Sequence, residues 1–225
     1  MALIKDKDKE NLKKAFEEHL ATEVKLLYFT QEHECEFCKT TRELLEELEA
    51  LSDRIELQVC DFVQDAEKAE EYHVDKIPAL VLLSGSGQDT GIRFFGIPAG
   101  YEFTTLVEDV IDVSRGDPKL PAEVEEIIKG ISEPVHLQVM VSPTCPYCPK
   151  AVRTAHRFAL LNGNIRADMV ETSEFPYLVQ KYDVQGVPKT VINEDHSVVG
   201  AVPEMEMAQE VIEALKGGEG EKKPD

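Results

Sequence analysis

The amino-acid sequence predicts an α/β protein made of two copies of one fold in tandem, each copy a central mixed sheet flanked by helices. Three observations carry this. Four kinds of landmark recur at a constant offset of 110 residues: Cys35-Glu36-Phe37-Cys38 against Cys145-Pro146-Tyr147-Cys148, Tyr72 against Tyr182, Val74 against Val184, and Pro78 against Pro188. Each proline follows its first cysteine by 43 residues. Between these landmarks, hydrophobic patterns of strand and helix alternate in the same order in both copies.

The elements follow from the pattern. An amphipathic helix is expected near Asp8 to Leu20. Val24 to Phe29 reads as a buried strand ending just before the first cysteine pair. From Glu36 to Leu51, Leu44, Leu45, Leu48 and Leu51 recur at helical spacing. A strand follows at Ile55 to Cys60, a helix at Ala66 to Tyr72 and, directly after Pro78, a strand at Ala79 to Leu83. Ser84-Gly85-Ser86-Gly87 is a turn. Ile92 to Phe95 is a short strand, and Tyr101 to Ser114 is the closing helix. The second copy opens with a helix over Pro121 to Ile131 and a strand over Val135 to Val141. A helix over Pro146 to Leu161, with Val152, Ala155, Ala159 and Leu160 on one face, leads to a strand at Ile165 to Val170. A helix at Glu174 to Tyr182, strands at Lys189 to Asn193 and Ser197 to Val199, and a helix at Pro203 to Lys216 complete it. Gly116-Asp117-Pro118 marks the boundary, giving units over 1–117 and 118–216. The Gly-, Glu- and Lys-rich end, 217–225, reads as a flexible tail.

Composition narrows the function. The 44 acidic residues outnumber 24 basic ones, for a formal charge of −20. Such a surface repels phosphate backbones and anionic lipid, so neither nucleic acid nor a membrane is an expected partner. No apolar run approaches the roughly 20 residues that span a bilayer. Met1 to Lys14 is charged and lacks the apolar core of a signal peptide, so the cytosol is the expected location. In that setting, paired cysteines point to catalysis, redox sensing or metal binding rather than a structural framework. The pairs are separated by 106 residues, against the roughly 15 to 20 usual within one zinc site, so no metal is assigned. Cys60 has no counterpart thiol, Val170 standing in its place, and reads as a small buried strand residue.

A Cys-x-x-Cys at the start of a helix has a chemical logic. The first sulfur is expected at the N-cap, exposed, where unpaired N–H groups and the helix dipole favour thiolate. Cys35 and Cys145 are therefore the expected nucleophiles, and Cys38 and Cys148 the resolving thiols. Pro146 suits the first helical position. A cis bond at Ile77-Pro78 or Val187-Pro188 would turn the chain sharply and leave a peptide edge free beside the sulfur. These four residues are the expected substrate-binding positions.

The whole arrangement resembles the thioredoxin and glutaredoxin superfamily, and Cys-Pro-Tyr-Cys is similar to the glutaredoxin active site. Two such units, with Gly96-Ile97-Pro98-Ala99-Gly100 before the last helix of the first, resemble the glutaredoxin-like protein disulfide oxidoreductases of thermophilic archaea and bacteria. The likeness covers roughly residues 20 to 216. It implies dithiol–disulfide exchange on protein substrates, cis prolines at Pro78 and Pro188, no bound cofactor beyond redox-active disulfides, and reduction by a thioredoxin-reductase-type flavoprotein using NADPH. The sequence departs from thioredoxin in having no Trp, and in placing Phe29 and Val139 where thioredoxin has a buried Asp. Asp61 and Glu171, related by the 110-residue offset, are alternative acids, with a solvated strand end as the plainer role. The acidic chain offers no cationic pocket for glutathione carboxylates, which favours protein substrates.

The centres are expected to differ. Glu32, Glu34 and Glu36 surround Cys35, partly offset by His33 and Lys39, whereas Lys150, Arg153 and His156 follow Cys145. A single charge about 7 Å away, at an effective dielectric near 40, contributes roughly 1 kcal/mol. This predicts that the second centre is the more reactive at neutral pH. The direction of exchange (reduction, oxidation or isomerisation) depends on potential and partners. An alternative is an electron carrier between a flavoprotein reductase and a peroxiredoxin. A third reading is a binding or chaperone module that retains its redox motifs.

Overall fold

Runs of Val, Leu, Ile and Phe with few charges become the inner strands, and leucines at helical spacing become the helix faces laid over them. In the computed structural model, which describes residues 3–218, the first half comprises α1 (Asp6–His19), β1 (Val24–Thr30), α2 (Cys38–Glu49), β2 (Ile55–Asp61), α3 (Ala66–Glu71), β3 (Ala79–Ser84), β4 (Asp89–Phe95) and α4 (Glu102–Arg115). The second comprises α5 (Ala122–Lys129), β5 (Val135–Val141), α6 (Cys148–Leu161), β6 (Ile165–Glu171), α7 (Pro176–Lys181), β7 (Lys189–Ile192), β8 (His196–Val199) and α8 (Glu204–Gly218). Every expected strand and helix is present. Gly217 and Gly218 belong to α8 rather than to a tail, and residues 219–225 of the expected tail lie outside the described residues. Among the described residues, no helix is long and apolar enough to cross a membrane.

All eight strands join one mixed sheet in the order β2-β1-β3-β4-β6-β5-β7-β8. In each half the order is the same, with the first two strands parallel and the last two antiparallel. The halves meet where β4 pairs parallel with β6, Ile92 opposite Ala167 and Phe95 opposite Val170. Ile92, Phe94 and Phe95 are buried there, and so is Arg93. Its charge is tolerated because Asp89 takes two of its N–H groups, at 2.8 and 2.6 Å, and the Tyr72 carbonyl a third, at 3.1 Å.

Helices seal the same joint. From α6, Arg153 donates to Asp109 and Asp112 of α4, and His156 Nδ1 lies 2.6 Å from Asp109 Oδ2, all buried. Gly100, at φ +62°, rests on the second half so closely that a Cβ would strike the Pro143 carbonyl. The neighbouring Tyr101 N–H donates to that carbonyl at 3.1 Å. Phe94 and Phe95 are fully buried, whereas the Tyr101 ring is exposed.

Candidate active site

Both cysteine pairs sit where a strand hands over to a helix, after β1 and after β5. The helices start later than expected, at the second cysteine of each pair, with Phe37 and Tyr147 as N-caps that make no side-chain capping bond. At the second pair the Cys148 N–H, free of any intrahelical partner, donates to Cys145 Sγ at 3.2 Å. The sulfur does for this helix what a Ser or Asp oxygen does in an ordinary cap. Pro146, expected at the first helical position, lies in the preceding turn, and Pro149 stands in the first helical turn.

Cys35 and Cys38 form a disulfide with a Cα–Cα separation of 5.5 Å. Cys145 and Cys148 are free thiols. Cys35 is half-buried beside a groove of about 630 Å³ whose walls include Glu32, Lys39, Arg42, Val59 and Asp61. Cys145 is 8% exposed, less than the accessible sulfur expected, and Cys148 is fully buried. Burial, together with the bond to Cys145 and the nearby charge of Glu102, pushes the Cys148 thiol well above its ordinary range.

Ile77-Pro78 and Val187-Pro188 are both cis. Pro78 and Pro188 are buried, while Ile77 and Val187 are partly accessible. Cys145 Sγ faces the Val187 carbonyl at 3.7 Å. At the first pair, the Tyr28 hydroxyl donates to the Cys38 carbonyl at 2.7 Å.

Several expected charges act elsewhere. Arg153 and His156 are absorbed by Asp109 and Asp112 at the joint between halves, so they are not free bases beside Cys145. Lys150 stays exposed after Cys145, and Glu32, Glu34 and Glu36 stay exposed around Cys35, so the expected contrast between the centres rests on these groups alone. Asp61 Oδ1 accepts from the N–H groups of Val63 and Gln64 at 3.0 and 2.8 Å, holding the turn after β2. Glu171 is buried and accepts from Ser173 and from the Glu174 N–H. Phe29 and Val139 are fully buried, as their positions imply. Among the described residues, no three Cys, His, Asp or Glu side chains gather to hold a metal ion.

The acid near the second pair is one the sequence did not flag. Glu102, in the first turn of α4, is buried at 1% exposure. Its Oε2 accepts from Thr105, and its Oε1 has no hydrogen-bond partner. Burial pushes its carboxyl up to about 7. The only sequence signal was an acid in a helix first turn, which normally means a solvated group favoured by the dipole.

A thioredoxin-domain family model matches residues 135–213. The solved protein disulfide oxidoreductase of Aeropyrum pernix K1 is 30% identical, covers 95% of this chain and 94% of its own, and superposes with a TM-score of 0.87. A solved chain of alkylhydroperoxide reductase AhpF of Enterococcus faecalis is 29% identical over 92% of this chain and 98% of its own, with a TM-score of 0.86. An NADH dehydrogenase of Bacillus subtilis is 29% identical over 150 residues, 67% of this chain and 27% of its own length. The chain spans less than a third of the length of the curated relatives it first matches, at 27%, 30% and 21%.

Proposed function

Because the chain belongs to the tandem thioredoxin-fold family of protein disulfide oxidoreductases, we propose that both of its Cys-x-x-Cys pairs exchange disulfides with protein substrates. The first unit, 1–117, works through Cys35 and Cys38, and the second, 118–216, through Cys145 and Cys148. In the reducing direction, the Cys145 thiolate attacks one sulfur of a substrate disulfide. The substrate S–S bond breaks, a Cys145–substrate disulfide forms, and the released sulfur leaves as thiolate and takes a proton. Cys148 then loses its proton and attacks Cys145 Sγ. This breaks the mixed disulfide, frees the second substrate thiol and closes the Cys145–Cys148 disulfide. Two electrons have passed to the substrate.

Cys148 needs a base, because burial holds its thiol protonated. Glu102 suits that role. It is close enough for its charge to act on Cys148, carries an unpartnered oxygen, and is pushed up to about 7. Ile77 and Val187 offer backbone edges to an extended substrate beside each sulfur. The cycle needs no bound cofactor; a thioredoxin-reductase-type flavoprotein would return the protein to the dithiol form with electrons from NADPH. A cytosolic location goes with this reading.

The observation that supports it most is the recurrence, in one chain, of the complete cysteine-helix-proline arrangement at both pairs. The test is equilibration of the protein in glutathione or dithiothreitol buffers, with each pair followed by alkylation and mass spectrometry. Potentials near about −270 mV would mark a reductant, and values near about −180 mV an oxidant or isomerase. If neither pair cycles, the proposal fails.

A second reading is favoured by the match along nearly the whole solved chain of an alkylhydroperoxide reductase. Here the chain would carry electrons from a separate flavoprotein to a peroxiredoxin. Peroxide-dependent NADPH oxidation that requires flavoprotein, this chain and peroxiredoxin together would establish it. Turnover of disulfide proteins without such coupling would exclude it.

A further inference from the structure

Behind the first cysteine pair, a backbone turn is held by a side chain from the other half. The Gly96 N–H donates to the Pro78 carbonyl at 2.9 Å, closing β4 against the Pro78 segment. The next N–H, that of Ile97, leaves its own half and donates to Glu174 Oε1 at 2.6 Å. Glu174 lies between β6 and α7. The fit is close: Gly96 has φ +90°, and a Cβ there would meet Glu174 Oε1 and Glu171 Cβ at 2.7 Å. Glu174 is itself fixed, its N–H donating to Glu171 Oε2 at 2.9 Å.

The second half closes its sheet with a matching turn, in which Gly200 has φ +93° and donates to the Pro188 carbonyl at 2.8 Å. Among the described residues, no carboxylate receives the Ala201 N–H there. The clamp therefore belongs to the first centre alone, and Gln64, which stands 110 residues before Glu174, cannot supply its charge.

The charged surroundings also lead to the first centre. Glu171 faces Glu174 from the end of β6, and Glu36, between the two cysteines, faces it from the turn before α2. Tyr28, whose hydroxyl holds the Cys38 carbonyl, is close enough on β1 to sense its charge. Lys76 lies over the Phe95 ring at 3.8 Å and pairs with Asp75. Burial, with Glu171 and Glu36 adding to it, pushes Glu174 up to about 7.

We propose that Glu174 is a positioning residue through which the second half of the molecule sets the Pro78 turn and the charge beside the Cys35–Cys38 pair. Ionised, it grips the Ile97 N–H by a charge-assisted bond and adds negative charge next to Glu36, disfavouring thiolate at this centre. Neutral, it relaxes the grip and removes the charge. The proposal rests on the first pair being redox-active, as argued above.

The test uses the full-length reduced protein and follows alkylation of Cys35 and Cys145 in one sample, from about pH 5 to about pH 9. Wild type, Glu174→Gln and Glu174→Asp are compared. Glu174→Gln keeps the shape and an acceptor oxygen while removing the charge. It should raise the Cys35 rate about three- to tenfold at pH 8 and erase an inflection near neutrality. Cys145 should be unchanged. Glu174→Asp should keep the inflection. A Cys35 profile in Glu174→Gln that superposes on wild type overturns the proposal, and so does an equal change at Cys145, which would mark a merely structural role. If wild-type Cys35–Cys38 fails to cycle with dithiothreitol, the redox reading falls and the proposal with it. If both pairs cycle and only the Glu174 effect is missing, the redox reading stands without it.

Discussion

The two cysteine-bearing helices have the same place in the repeat and opposite places in the molecule. Helix α2 lies over the β2 end of the sheet and buries one face, through Cys38, Thr41, Leu44, Leu45 and Leu48. Helix α6 lies at the joint, and its buried set runs almost unbroken from Ala151 to Ala159, including Arg153, Thr154 and His156. The difference teaches that the repeat places the sulfurs, whereas the joint brings an acid from the opposite half near each pair. Each centre has an acid pushed up to about 7 nearby, buried at the second and half-buried at the first, and each comes from the opposite half: Glu102 from the first lies near Cys148, and Glu174 from the second faces the first pair.

Substitutions can break or sharpen this contrast. The largest effects are at the sulfurs. Cys148→Ser should stop resolution at the second centre and accumulate a Cys145–substrate disulfide, seen by non-reducing electrophoresis, while the first centre keeps turning over. Accumulation through Cys35 instead would invert the assignment. Next, Glu102→Gln should slow the resolving step at the second centre about a hundredfold and leave the first untouched, which single-turnover kinetics would separate.

Stability should follow the joint. Arg153→Met takes away the cation that Asp109 and Asp112 share, leaving them only His156 and a longer Arg157 contact, and should cost about 3 kcal/mol in denaturant unfolding. Arg42→Met removes a surface pair with Glu46 on α2 and should cost about 0.5 kcal/mol or less. Similar losses from both would refute the contrast.

The smallest effect is a pH dependence. Glu102 and Glu174 hold their protons in the folded state up to about 7, against 4.5 when unperturbed. Between those values the folded chain binds more protons than the unfolded one, so their contribution to stability is fully present below the lower value and is lost as pH rises through the upper. Glu102→Gln should therefore stabilise the protein at pH 8, by at most about 3 kcal/mol, and hardly change it at pH 4. Equal effects at both pH values would show that Glu102 is not perturbed by burial.

Much of this was legible in the sequence, because the 110-residue register repeats both the chemistry-bearing residues and the alternation that forms the sheet. The cysteine pairs, the two prolines and the succession of strands and helices along each half all follow from local patterns. What escaped depends on contacts between halves. Nothing in Asp89–Phe95 or Ile165–Glu171 says that these strands pair with each other, since both simply read as buried strands. Without that pairing, Arg153 and His156 looked like free bases, and Glu102 and Glu174 looked like ordinary surface acids at helix starts. The late start of α2 and α6 was hidden for another reason: the residues between the cysteines, Glu36-Phe37 and Pro146-Tyr147, sit in the turn before each helix, which a helical pattern that runs on from them does not show.

The order of the sheet has one more consequence, for assembly. The joint pairs the last strand of one half with the outer strand of the other, so it is a head-to-tail contact that does not use itself up. The free rims of the sheet, β2 and β8, are the repeat equivalents of the two strands that meet in the middle. A second molecule could in principle extend the ribbon by the same rule, and such open stacking leads to fibres rather than closed oligomers. The chain works against this at both rims. β2 shows exposed Glu56 and Gln58 where β6 is nearly all buried, and β8 is only four residues long, against seven for β4. Polar side chains on one rim and brevity on the other let the repetition stop at two.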